Sequence, residues 1–130
     1  MKIALIGFGK MGKAIASIAE QRGHSLPLII DLHNRSDLKS AQLKEIDAAI
    51  EFTAPESAKE NVLHCMEAGL PTVVGTTGWL QDLPIVEAAC KKHGAALLVS
   101  SNFSIGVNIF FEINKHLAKL MAQRNEYNVS

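Results

Sequence analysis

Ile3-Ala4-Leu5-Ile6-Gly7-Phe8-Gly9-Lys10-Met11-Gly12 is the stretch that decides the fold. Four consecutive apolar residues suit a parallel strand buried on both faces. The glycines behind them follow the spacing GxGxxG, each with its own task. Gly7 permits a tight turn, Gly9 lets a pyrophosphate approach the backbone, and Gly12 lets a helix lie close on the strand. A helix is predicted at once, with Met11, Ala14, Ile15, Ile18 and Ala19 on one face. Its N-terminus offers free N–H groups and the positive end of a dipole to phosphates. Alone the spacing is a weak signal; between a strand and an amphipathic helix it reads as a dinucleotide-binding turn. Gly7, Phe8, Gly9, Lys10, Met11 and Gly12 are its candidate cofactor contacts.

Outward from that turn, Gly23 closes the helix, and Leu26 to Ile30 reads as a second strand ending at Asp31. Asp31 stands 19 residues past Gly12, where a carboxylate can accept hydrogen bonds from the adenosine ribose. The competing reading is a turn-capping Asp before His33-Asn34. A carboxylate repels the 2′-phosphate of NADP, while His33 and Arg35 are near enough to offset that repulsion. The sequence therefore favours NADH and leaves room for NADPH.

Residues 32 to 45 are polar and without period, a loop with at most a weak strand or short helix. Ala48 to Phe52 reads as the next strand. Pro55 opens a helix that buries Ala58, Val62, Cys65 and Met66 and ends at Gly69. Thr72 to Val74 is a strand, a helix runs from about Pro84 to His93, and Ala95 to Val99 is a fifth strand. The longest helix, from about Ile105 to Gln123, sets Phe110, Ile113, Leu117, Leu120 and Met121 on one stripe, opposite Glu112, Lys115 and Lys119. Strands alternating with helices predict an α/β fold: a Rossmann-like, doubly wound parallel sheet with helices on both faces, one dinucleotide-binding domain over residues 1–124. Ligands in such sheets bind at the carboxyl ends of the strands.

Composition narrows the function. The 130 residues are 48% hydrophobic and 20% charged, ordinary for a globular domain. Lys plus Arg and Asp plus Glu balance at 13 each, so no basic field exists to hold nucleic acid or an anionic membrane. No apolar stretch has transmembrane length, and a strand-like run from Lys2 leaves no room for a signal peptide, so a cytoplasmic location is expected. Cys65 and Cys90 fall in helical segments without a CxxC, as core thiols in a reducing compartment.

The loops after the strands carry unusual residues. Phe52 and Thr53 are expected to line the cofactor side of the cleft, although Thr53 can equally cap the following helix. Gly75-Thr76-Thr77-Gly78-Trp79 holds more small residues than a plain turn needs, which points to a loop that meets a ligand. In Ser100-Ser101-Asn102-Phe103-Ser104, Ser104 is a credible N-cap, and Asn102 can both donate to and accept from a nicotinamide amide. No Ser–His–Asp set, metal cluster or carboxylate pair can be built from these loops. His24, His33, His64, His93 and His116 read as exposed and solvated. The domain is thus expected to hold a cofactor, with no catalytic residue and no metal ligand of its own.

Val74-Gly75-Thr76-Thr77-Gly78 and Ser101-Asn102-Phe103-Ser104-Ile105-Gly106-Val107-Asn108 carry a resemblance, together with the glycine turn and Phe52-Thr53-Ala54-Pro55-Glu56. Across essentially the whole chain these strings resemble dihydrodipicolinate reductases (4-hydroxy-tetrahydrodipicolinate reductases). The resemblance implies reduction of the synthase product with NADH or NADPH in the diaminopimelate route to lysine. It implies cofactor contacts at Gly7 to Gly12, Asp31, Gly75, Thr76, Thr77, Ser100, Ser101, Asn102 and Phe103, with Thr77 also facing the substrate. It implies a homotetramer for full-length members.

Two departures qualify the match. Lys10 stands where relatives usually have Arg, a point charge in place of a fork, and Leu32 follows Asp31 where a basic residue would favour NADP. The family's catalytic segment, of the form E-x-H-H-x-x-K-x-D-x-P-S-G-T, is expected shortly after Val129, and the chain ends at Ser130. Residues 125–130 are read as the start of a substrate-binding and oligomerisation domain that is missing after residue 130, together with the proton-donating His and substrate-binding Lys. The fragment is expected to bind dinucleotide without turnover. A non-catalytic dinucleotide-binding or sensor module remains the alternative, as does another reductase of the same fold.

Overall fold

The structure, a computed structural model, describes residues 1–122, the side chains of residues 40 and 41 excepted. The strand expected near Glu126 and the boundary after residue 124 lie outside the described residues. Five short apolar runs form strands β1 (Lys2–Ile6), β2 (Ser25–Ile30), β3 (Ala48–Glu51), β4 (Thr72–Val74) and β5 (Leu97–Val99). All four pairings are parallel, in the order β2-β1-β3-β4-β5. Helices α1 (Lys10–Gln21), α2 (Ser40–Leu43), α3 (Pro55–Glu67) and α4 (Leu83–His93) connect them, and α5 (Ile105–Met121) follows β5. The segment after β2 is neither strand nor open loop: a short 3-10 turn at Arg35–Asp37 and α2 bury Leu38 and Leu43.

The chain moves one way from β1 to β2 and the other way from β3 onward, so right-handed crossovers put α1 and α3 on opposite faces. Ala4, Ile6, Ala49 and Val74 turn into a cluster with Ala58, Val62, Cys65 and Met66 of α3 and Val86 of α4. Each large side chain fully buried there contributes roughly 1.5–3 kcal/mol. Ile3 and Leu5 alternate to the other face.

Two helix faces differ from expectation. On α1 the buried residues are Gly12, Ala16 and Ala19, while Met11 and Ile18 are about half exposed. The helix sits so close to β1 that only small side chains fit beneath it. On α5 the amphipathic stripe exists, but no residue of it is buried, and Phe110, Ile113, Leu117 and Leu120 remain exposed. Amphipathicity encodes the wish for a partner surface, and no described element supplies one.

Candidate functional site

Register aligns the strand ends. Ile30 pairs with Ile6, Ile6 with Glu51, Glu51 with Val74, and Val74 with Val99. The next residues, Asp31, Gly7, Phe52, Gly75 and Ser100, therefore start five loops along one edge. The ladder runs one bond into four of them: Gly7 N–H to Ile30 O at 2.8 Å, Phe52 to Ile6 at 2.8 Å, Gly75 to Glu51 at 2.9 Å, and Ser100 to Val74 at 3.1 Å. Where the strand order reverses, between β1 and β3, the edge opens into a cleft of about 250 Å³. Gly7, Phe8 and Gly9 form one wall, Asp31, Leu32 and Arg35 a second, and Phe52, Thr53, Ser57 and Asn61 a third.

The three fingerprint glycines answer to different constraints. Gly7 has φ +101°, and a Cβ there would stand 1.9 Å from the Phe52 carbonyl oxygen. At Gly12 a Cβ would stand 2.1 Å from the Gly7 oxygen. At Gly9, the N-cap of α1 with φ −74°, a Cβ would meet nothing within 4 Å. Packing thus requires glycine at 7 and 12, and it leaves room for a side chain at position 9.

Asp31 is half-buried on the cleft wall. Its Oδ1 accepts the Leu32 N–H at 2.8 Å. Asn34 does the turn-capping: its Oδ1 accepts the Asp31 N–H at 2.6 Å and its Nδ2 donates to the Ile29 oxygen at 2.9 Å. Arg35 lies on the wall with Nη2 3.4 Å from Glu60 Oε2, an exposed pair of small worth. His33 is exposed and is not part of the wall.

Lys10 and Met11 are exposed in the first turn of α1, off the cleft wall. Gly75 to Thr77 and Ser100 to Phe103 lie further along the same edge, linked to the cleft where the Phe103 ring tilts against Phe52 at 6.2 Å. Their internal bonding corrects part of the sequence reading. Gly75 is small because a Cβ there would fall 2.0 Å from the Phe52 ring. Thr76 is buried and its Oγ1 accepts the Thr53 N–H at 2.7 Å, whereas Thr77 is exposed. Trp79 is wholly buried, with Nε1 donating to the Thr76 oxygen at 2.9 Å. Much of this loop's composition therefore serves packing. Asn102 Oδ1 accepts the Ser104 N–H at 2.8 Å, which leaves its Nδ2 and the second lone pair of Oδ1 for a carboxamide. Ser104 caps α5, accepting from the Val107 N–H at 3.4 Å. Thr53 does not cap α3; Ala54 holds that position, and the Thr53 hydroxyl turns to Glu51.

Glu51 is the residue that sequence reasoning passed over. It is fully buried at the end of β3, with Oε1 accepting from the Thr53 hydroxyl and Oε2 without a partner. Burial pushes its carboxyl above the ordinary carboxylate range, and the Thr53, Thr76 and Asn61 side chains pull it part of the way back. An acid inside the apolar run Ala48 to Phe52 was the available signal. The histidines are less uniformly solvated than expected: His24 and His64 are half-buried, His24 Nδ1 lying 3.5 Å from the N-terminal amine. Both cysteines are free, Cys65 buried in the core and Cys90 half-buried on α4. Among the described residues no group of three or more His, Cys, Asp or Glu could hold a metal ion, and no helix is long and apolar enough to cross a membrane.

Comparison with known proteins bears on this geometry. The family described as "Dihydrodipicolinate reductase, N-terminus" matches residues 1–103. The 4-hydroxy-tetrahydrodipicolinate reductase of Christiangramia forsetii is 41% identical over 99% of this chain and 53% of its own length. The chain thus spans about half of that relative, and 29% to 38% of three further proteins of the same name. Two solved structures share the fold: a probable dehydrogenase from Thermotoga maritima, 18% identical over 95% of this chain and 41% of its own, TM-score 0.63, and an NAD-binding protein from Listeria innocua, 17% identical over 95% and 40%, TM-score 0.62.

Proposed function

The chain belongs to the dihydrodipicolinate reductase family, and on that premise we propose that its cleft binds a nicotinamide dinucleotide, NADH in preference to NADPH. One observation carries the reading. The fold leaves open space around position 9, yet glycine stands there, bare backbone at the N-terminus of α1. A ligand that presses phosphates onto that backbone is the constraint that explains it. The cleft lies at the reversal of strand order and carries Asp31 within reach of a ribose, which fits the same ligand.

The proposed reaction is reduction of 4-hydroxy-tetrahydrodipicolinate to tetrahydrodipicolinate, with hydride supplied by the bound dinucleotide. In it the first turn of α1 holds the pyrophosphate and Asp31 the adenosine ribose. Phe52, Thr53, Gly75 and Thr76 border the path toward the nicotinamide. Ser100, Ser101, Asn102 and Phe103 close its far end, and exposed Thr77 faces the substrate. Full-length relatives are proposed to act as homotetramers. No described residue of the cleft is an acid or base placed to deliver the reaction's proton, so binding without turnover is expected of this chain alone.

Calorimetric titration with NADH and with NADPH tests the proposal. Saturable binding of NADH is expected, tighter than that of NADPH. Gly9→Val should melt with the wild type and lose binding. Asp31→Ala should weaken NADH by roughly ten- to a hundredfold, the worth of a hydrogen bond to a charged group. Gly9→Val binding NADH as tightly as the wild type would sink the reading.

A further inference from the structure

We infer that Glu51 is a positioning residue for the dinucleotide site, tying the loop after β3 to the loop after β4 from beneath. The inference rests on the binding reading above and concerns a residue that touches no ligand itself. Its basis is a chain of contacts under the cleft floor. Glu51 Oε1 accepts from the Thr53 hydroxyl, and Asn61 Nδ2 donates to the same hydroxyl oxygen at 3.3 Å. The Thr53 N–H crosses to Thr76 Oγ1 at 2.7 Å, and the Thr76 carbonyl holds the Trp79 indole at 2.9 Å. The Glu51 carbonyl takes the Gly75 N–H at 2.9 Å. Side chain and backbone of one acid thus fix both loops, and Thr53 and Asn61 are themselves cleft wall.

A buried acid is a costly way to make such a tie, because an isolated charge in low dielectric is strongly disfavoured. Glutamine would keep the acceptor for Thr53 and carry no charge. The ionisable group adds a sensitivity glutamine lacks. The neighbours on the flanking strands, Ile6 and Val74, do not titrate. The α3 face toward Glu51 carries Asn61 and Cys65, and burial pushes the Cys65 thiol up to about 12, so it stays neutral. No described cation pairs with Glu51. When its carboxyl ionises, the charge lies unpaired beneath an anionic ligand. The neutral form is the one suited to the site, and because the folded-state pKa is raised, stability and affinity decline together as pH rises through it.

The test is NADH titration of the whole chain as wild type, Glu51→Gln and Glu51→Ala, from about pH 5 to about pH 9, with a melting curve and the emission of Trp79 at each pH. Glu51→Ala should lose about tenfold in affinity and shift the Trp79 emission, since the Thr53 tie is gone. Glu51→Gln should bind within about threefold of wild type at the lowest pH and lose the wild type's decline toward alkaline pH. Glu51→Gln and Glu51→Ala behaving alike, or a wild-type pH profile that Glu51→Gln leaves unchanged, would overturn the inference alone. Failure of the wild type to take NADH or NADPH at any pH overturns the binding reading and this inference with it.

Discussion

Gly7→Ala is expected to destabilise the chain by about 2–6 kcal/mol. Two costs combine. The backbone at φ +101° is one that a side chain rarely adopts, of order 1–3 kcal/mol. The added carbon also drives into the Phe52 carbonyl oxygen; the Phe52 N–H donates to the Ile6 oxygen, so this residue cannot retreat without breaking the ladder. Overpacking of that kind costs roughly another 1–3 kcal/mol. Against a typical total of about 5–15 kcal/mol, a large share of stability would be gone. Urea denaturation of Gly7→Ala beside Gly9→Val separates the effects: the first should unfold at far lower urea, the second near the wild-type midpoint. Equal midpoints would mean that the turn after β1 is built differently.

Trp79→Ala should cost about 3–5 kcal/mol. Trp79 is the largest fully buried side chain, and its removal opens a cavity between α3, α4 and the sheet while stripping the Thr76 carbonyl of its donor. Trp79→Phe restores most of the volume but not the N–H, and should recover more than half of the loss. A thermal midpoint of Trp79→Ala within a few degrees of wild type would contradict the packing seen around the ring. Because Thr76 is tied to Thr53, NADH affinity should fall more in Trp79→Ala than in an equally destabilised substitution on the outer side of α4.

These two positions mark where the sequence was legible and where it was not. Gly7 stands in a strand–turn–helix string whose local rules leave one solution, and the parallel sheet and all five strands followed from such strings to within a residue or two. Trp79 stands in a loop without period, so nothing local says that it turns inward, and the small residues around it point as readily to a ligand as to packing. Helix α1 shows the same limit: its larger apolar residues formed the better stripe, yet Gly12 pinned the helix too close for them. Thr53 looks like an N-cap in sequence because the competitor for its hydroxyl, Glu51, stands two residues back inside a strand. The glycine turn and the place of Asp31 at the end of β2 were readable because their spacing is local. The bond joining Thr53 to Thr76 was not, since it is made between loops more than twenty residues apart.

The strand order carries a consequence for how the chain is assembled in time. β3, β4 and β5 each dock on the strand synthesised just before or on β1, so every helix emerges with its strand edge already laid down. Only one pairing must skip over an intervening strand, that of Ile3 with Ala48, and loop closure makes such a search slower than its neighbours. Until Ala48 and Ala49 arrive, the β1–β2 pair has an open edge on its inner side. The joining of β1 to β3 is therefore the expected rate-limiting event of folding, and it is the same event that brings Gly7 to Phe52 and creates the cleft.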